Sequence, residues 1–246
     1  MMILSPGSSV SDVSYPEFPA ISLVQRLRRA TRDLHTRAER TGIVATILDG
    51  TATRTGYALY LRNLLPAYQA MEHALEQHRD TPGIGALAWP ALYRAPGIIA
   101  DLADLAGPNG PESLPLLPAA ERYAARIAWA GSGDGGLLLA HAYTRYLGDL
   151  SGGPILARRL GQIFGPDFRA TAFMAFPAIG DVGVFANAFR ASLNHAFDRV
   201  ANPEDVVREA LIAFALNIGL SCEVADMQCG SGEPCAAALP APAGRP

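Results

Sequence analysis

His141-Ala-Tyr143-Thr-Arg145-Tyr146-Leu-Gly148-Asp149-Leu-Ser151-Gly152-Gly153-Pro154 sets three glycines and a proline inside an otherwise strong helical pattern. Each glycine costs roughly 1 kcal/mol against alanine in a helix interior, and the proline roughly 3 kcal/mol. The sum, about 6 kcal/mol, is comparable with the net stability of a whole domain. Such a stretch needs compensation elsewhere, and a functional site is a common reason for keeping it. Gly148 and Gly152 are one turn apart and leave a strip without side chains. A helix backbone could there approach a flat ligand closely, with a kink to match it. Asp149 stands beside the strip, one turn after Arg145. On composition alone, a plain break between two short helices is a competing account.

Reading outward, the helix extends over about 136–163. Asp134 is a candidate N-cap after the glycine-rich break 131–136, and Gly165-Pro166 is a stop pair. Upstream, Ser22 and Gln25 form a capping-box pair that starts a first helix. Leu23, Leu27, Ala30 and Leu34 recur along it at helical spacing, and Gly42 reads as its stop. Further helices are expected over about 55–79, with a bend at Pro66, and over 98–105, 119–130, 183–200 and 203–226. A proline-rich connector spans 107–118. Alternating Val/Ile runs are scarce, so the expectation is a single all-α domain of seven or eight helices over 21–227. A flexible leader (1–20) and a disordered tail (228–246) would flank it.

The 20 basic side chains are all arginine. Chemistry that needs a lysine, such as a Schiff base or a P-loop, is excluded, and every fixed cation is a guanidinium suited to carboxylates and phosphates. A net charge of −3 gives no global attraction to nucleic acid. The uncharged run Ala210–Cys222 is short for a membrane span and reads as a buried core helix. The N-terminus has no basic segment leading into an apolar run. Three late cysteines suit neither a disulfide framework nor a metal quartet. The expectation is a cytoplasmic protein.

On the first helix Arg28, Thr31, His35 and Glu39 share one face. A neutral imidazole is a metal-ligand candidate, and an arginine two turns back could hold an anionic group of the same ligand. A solvated, arginine-rich surface is the plainer account of that face.

The segments Leu27–Glu39 and His141–Gly153 resemble the two haem-sandwiching helices of the haem oxygenase family. A weaker resemblance runs from about Ser22 to Ala225. It implies haem b, both substrate and cofactor, held between a proximal helix and a kinked, glycine-rich distal helix. It implies that His35 ligates the iron and Glu39 orients its ring. Gly148, Gly152 and Gly153 would let the distal helix lie on the haem face. Arg28, Tyr143 and Arg190 match propionate-binding positions, with Thr31 on the same face as Arg28. Tyr68, Arg145, Asp149 and Asn217 match the polar group that holds distal waters. No histidine occurs from 142 to 194, so no peroxidase-type distal histidine is available. Asp149 could pass protons through water without binding iron. The implied reaction cleaves haem with O2 and reducing equivalents to biliverdin, carbon monoxide and ferrous iron. A ferredoxin or reductase would supply the electrons.

Two positions depart from the family pattern. Pro154 replaces a common glutamine and should sharpen the bend, and Ala186 replaces a propionate-binding lysine. A haem-binding or shuttling protein on the same scaffold is the alternative, and a helical module acting on another molecule is a further one. His73 and His78 suit a structural role at a helix C-terminus, and His141 that of a satisfied buried histidine. The first helix gathers Arg26, Arg28, Arg29, Arg32, Arg37 and Arg40 against Asp33 and Glu39. That basic face could dock an acidic electron donor.

Overall fold

The computed structural model describes residues 21–107 and 109–229. The expected leader and most of the expected tail lie outside the described residues. Among the described residues ten α-helices follow one another: α1 Leu23–Glu39, α2 Gly42–Asp49, α3 Arg54–Gln77, α4 Ala95–Ala106, α5 Gly110–Ser113, α6 Pro118–Ala130, α7 Leu138–Ala142, α8 Gly148–Phe164, α9 Val182–Phe197 and α10 Pro203–Cys229. A π-helical turn, Tyr143–Leu147, joins α7 to α8 without a break. Short 3-10 turns occur at Ile84–Leu87, Pro90–Leu92 and Ala172–Met174. No strand occurs among the described residues.

The start of α1 follows the sequence. Ser22 Oγ accepts from Gln25 N–H at 3.4 Å, and Gln25 Oε1 accepts from Ser22 N–H at 3.1 Å. Leu23 and Leu27 are buried as expected, but Ala30 is exposed and Thr31 takes the next buried slot. The Thr31 hydroxyl donates to Leu27 O at 2.8 Å, which satisfies it inside the core.

Gly42 ends the α1 segment but also opens α2, a helix the sequence reading did not contain. Its φ is +62°. A Cβ there would lie 2.3 Å from the Ser221 backbone on α10. Only glycine turns the chain and lets it touch α10 so closely. Ser221 completes the joint by accepting from Val44 N–H and donating to Thr41 O, each at 3.3 Å.

Asp134 does not cap the distal helix. Its carboxylate accepts from Gly136 N–H at 2.9 Å in a local turn, and α7 begins at Leu138 with no side-chain cap. α8 runs through Pro154, which is exposed, and stops at Gly165, where φ is +94°. A π turn, Tyr143–Leu147, precedes the glycine-rich stretch, a feature the sequence reading did not contain.

α10 is long and apolar enough, by length and composition, to cross a membrane. In this fold it packs against α1, α2, α3, α6 and α7. Its Glu209 is buried and paired with Arg126 of α6, which marks a core helix of a packed domain. α1 and α8 rest on shared supports, because α2 and α9 pack against both. The two helices expected to flank the ligand are thus carried on common neighbours.

Candidate functional site

The distal wall is built around Arg145, on the π turn. Its guanidinium donates to the Tyr68 hydroxyl from Nε at 2.9 Å and from Nη2 at 2.6 Å. Nη1 donates to Asn217 Oδ1 on α10, and Nη2 reaches Asp149 Oδ1 at 3.3 Å. The Tyr68 O–H donates to Asp149 Oδ2 at 2.5 Å. Sequence reasoning singled out these four side chains together, and the fold joins them from α3, the π turn, α8 and α10. Burial pushes the Asp149 carboxyl above the usual carboxylate range, against the pull of Arg145, Tyr68 and Arg94. Burial likewise pushes the Tyr68 hydroxyl well up, so it stays a donor. A hydrogen-bonded acid with a raised pKa, one-tenth exposed, can hold a proton and release it to a neighbouring water.

Beside this cluster, a Cβ built on Gly148 or Gly152 meets nothing within 4 Å. Both glycines therefore border open space, and a flat molecule could approach the helix backbone there. Gly153 differs. A Cβ on it would come within 3.3 Å of Met174 O, so this glycine seats α8 against the 172–174 turn.

On the proximal wall, His35 is exposed and its ring lies 6.1 Å from that of Phe214. Its Nδ1 is 3.6 Å from Glu39 Oε1, beyond a hydrogen bond. The expected Glu39 contact is therefore a proximity, with both side chains more than half exposed.

A third group forms around Tyr143. Burial pushes its hydroxyl up, while a hydrogen bond with Thr31 and the charges of Arg28 and Arg190 pull it down. So the fold brings Arg28, Thr31, Tyr143 and Arg190 together from α1, the π turn and α9. Arg190 also donates to Asn187 Oδ1 at 2.9 Å. Ala186 is buried on the same helix and offers no charge.

Several residues near the distal wall escaped the sequence reading. Glu72, one turn after Tyr68, is buried and accepts from the backbone N–H groups of Arg94 and Ala95. Burial pushes it up to about 7, despite those bonds and the Arg94 charge. Asp101 accepts from Ala172 N–H at 2.7 Å and Phe173 N–H at 2.8 Å. An acid among Met71, Ala74 and Leu75 was the available signal for Glu72, since such a residue is buried only with partners. His141 is fully buried, and its carboxylate partner is Glu209 of α10 at 2.9 Å. His78 closes α3 structurally, with Thr81 Oγ1 at 3.1 Å and Gly131 O at 2.8 Å.

The Heme oxygenase family model matches residues 21–223. Heme oxygenase 1 of Homo sapiens is 34% identical over 215 residues, covering 86% of this chain and 75% of that protein. Heme oxygenase 2 of Synechocystis sp. is 36% identical over 210 residues, covering 84% of each. Among solved structures, heme oxygenase-1 from Synechocystis sp. in complex with heme superposes with a TM-score of 0.78. It is 31% identical and covers 85% of this chain and 95% of that one. The fold is thus the all-helical haem oxygenase fold. The chain belongs to the haem oxygenase family.

Proposed function

We propose that this protein is a haem oxygenase that opens the porphyrin of haem b with O2 and electrons, giving biliverdin, carbon monoxide and ferrous iron. The observation that supports it most is the buried Arg145–Tyr68–Asp149–Asn217 cluster beside a helix face left open by Gly148 and Gly152. The residues present fit haem. The strip could admit a planar ring, an exposed histidine on α1 is free of any carboxylate hydrogen bond, and two arginines and a tyrosine gather at one edge. When bound, haem would supply the iron that activates O2 and the ring that is cut.

In this reading His35 ligates the iron and Glu39 turns its ring. Arg28, Thr31, Tyr143 and Arg190 hold the two propionates. Guanidinium groups suit carboxylates, and the Tyr143 hydroxyl adds a neutral donor. Gly148 and Gly152 would keep side chains off the helix face that the porphyrin approaches. Asp149 would move protons through water, with Tyr68 and Arg145 fixing its carboxylate and Asn217 fixing Arg145. A ferredoxin or reductase with an acidic face docks on the exposed Arg29, Arg32 and Arg40 of the α1 segment, in the cytoplasm. Arg26 serves structure instead, since it pairs with Glu204 and stands over the Phe197 ring at 5.7 Å.

The test is hemin titration followed by a reductant system. A Soret band of a histidine-ligated haem, then its decay into a biliverdin spectrum, is the expected course. A Soret band that persists under turnover conditions would leave only haem binding, and no Soret shift would remove haem altogether.

A further inference from the structure

A second buried polar cluster lies one helical turn before Arg145 and makes no part of the proposed proton path. His141, the last residue but one of α7, is fully buried. Its Nε2 meets Glu209 Oε1 at 2.9 Å. Glu209 is buried on α10, and its two oxygens also accept from Arg126 of α6, from Nε at 2.9 Å and from Nη2. Arg126 closes the cluster toward solvent and stacks on Trp129 at 3.9 Å. Burial pushes the Glu209 carboxyl up, but the bonds from His141 and Arg126 outweigh this and hold it below the usual range. With Arg126 donating to both of its oxygens, Glu209 faces His141 Nε2 as an acceptor. Among the described residues the His141 ring has no other hydrogen-bond partner, and it packs against the Tyr123 ring at 6.0 Å.

This cluster acts where the helical ladder changes. The π turn Tyr143–Leu147 adds a residue to the helix between α7 and α8, and α7 starts with no side-chain cap. Such a turn can be accommodated in more than one register, so where Arg145 stands depends on what holds the turn to its neighbours. Two links tie this segment to α10: His141 to Glu209, and Arg145 to Asn217. The links sit four residues apart on one element and eight on the other, so the first sets the register in which the second can form.

We propose that His141 and Glu209, steadied by Arg126, are positioning residues that hold the π turn against α10 and so place the Arg145 guanidinium on Tyr68, Asn217 and Asp149. The proposal rests on the reading that the Arg145–Asp149 cluster serves haem turnover. It differs from a contribution to stability alone, because it requires that loss of the His141 link move Arg145 in a protein that still folds.

The experiment compares His141→Gln, whose amide can reach Glu209 as a donor, with His141→Leu, which cannot, and with Glu209→Gln. In the haem-free full chain, NMR reads the Arg145 Nε–H resonance and the titration of the Asp149 carboxyl. His141→Leu is expected to shift the Nε–H signal and to raise the Asp149 titration, because the nearby guanidinium that favours the carboxylate is displaced. His141→Gln is expected to leave both as in the parent. Haem turnover should fall about tenfold or more in His141→Leu and recover in His141→Gln. If His141→Leu does not fold, Glu209→Gln keeps the shape, removes the anion and must shift the same signals. Unchanged Arg145 and Asp149 signals in the folded variants overturn the clamp. Shifted signals with unchanged turnover uphold the clamp and overturn the role given to the Arg145–Asp149 cluster.

Discussion

His35 and Arg145 stand on helical segments that flank the same proposed ligand space, yet the first side chain is 58% exposed and the second 8%. On α1 the polar face is written outward, as charge on an amphipathic helix, and the core needs only Leu23, Leu27 and Thr31 from it. On the distal wall the polar groups are written inward. Four side chains from four elements exchange the hydrogen bonds they would otherwise lose to burial. The proximal wall can therefore change its residues cheaply and lose only chemistry. The distal wall cannot change without disturbing both chemistry and fold, because each member satisfies another in a water-poor site.

The sharpest break in that contrast would come from His35→Ala. Biliverdin formation should vanish, while the unfolding free energy stays within about 0.5 kcal/mol of the parent, as for most exposed positions. A denaturant titration and a turnover assay on the same sample check both halves. Retained biliverdin formation would end the ligand assignment.

Arg145→Leu should do the reverse in stability. Tyr68 and Asn217 would lose the guanidinium that donates to them, and Asp149 would keep only Tyr68, at a cost of about 3–5 kcal/mol. A shift in the urea midpoint with an unchanged slope would record it. Asp149→Ala should sit between the two, with haem binding kept, turnover down about a hundredfold and oxidant consumed without biliverdin. Normal haem degradation by that variant would remove the proton-delivery role.

The pH dependence sharpens the same contrast, since buried acids lie near the distal wall. Glu72 is held at about 7 and Asp101 at about 6, both above ordinary carboxylates. Each binds its proton more tightly folded than unfolded. Their contribution is therefore full below about pH 4 and is lost as pH rises toward 7. Glu72→Gln should flatten the fall in stability between about pH 4.5 and 7, read from urea midpoints across that range. Glu209, held low, works with the opposite sign and loses its contribution as the medium becomes more acid.

The smallest effect belongs to the glycine strip. Gly152→Ala should raise the stability of the haem-free protein by about 0.5–1 kcal/mol, since helical glycine is costly and its Cβ would meet nothing. Hemin affinity should fall, because the strip would then carry a methyl group. A substitution that improves the fold and weakens the ligand would separate the two demands on α8.

Most helices were legible because each had a local signature. Ser22 with Gln25 started α1, Gly165-Pro166 ended α8, and apolar spacing marked α3 and α10. α2 was not legible, because Gly42 looks like a stop unless α10 is known to pass 2.3 Å from where its side chain would be. The π turn was not legible either: an extra residue in a helical turn leaves no periodic mark over five residues.

The sequence by itself determined which groups the site can contain: arginine as the sole fixed side-chain cation, one histidine on α1, glycines spaced one turn apart, and no histidine from 142 to 194. It also determined that the Gly148–Pro154 stretch would be costly as helix. Tertiary structure alone decided which of those groups meet. Asp149 finds Tyr68 from 81 residues away, Arg145 finds Asn217 from 72, and His141 finds Glu209 from 68. It also decided that Gly153 packs on Met174 while Gly148 and Gly152 stay open. The physical reason is the same in each case. Local pattern specifies helices and their faces, but a buried polar group is stable only when a distant element brings its partner, and that pairing is a property of packing.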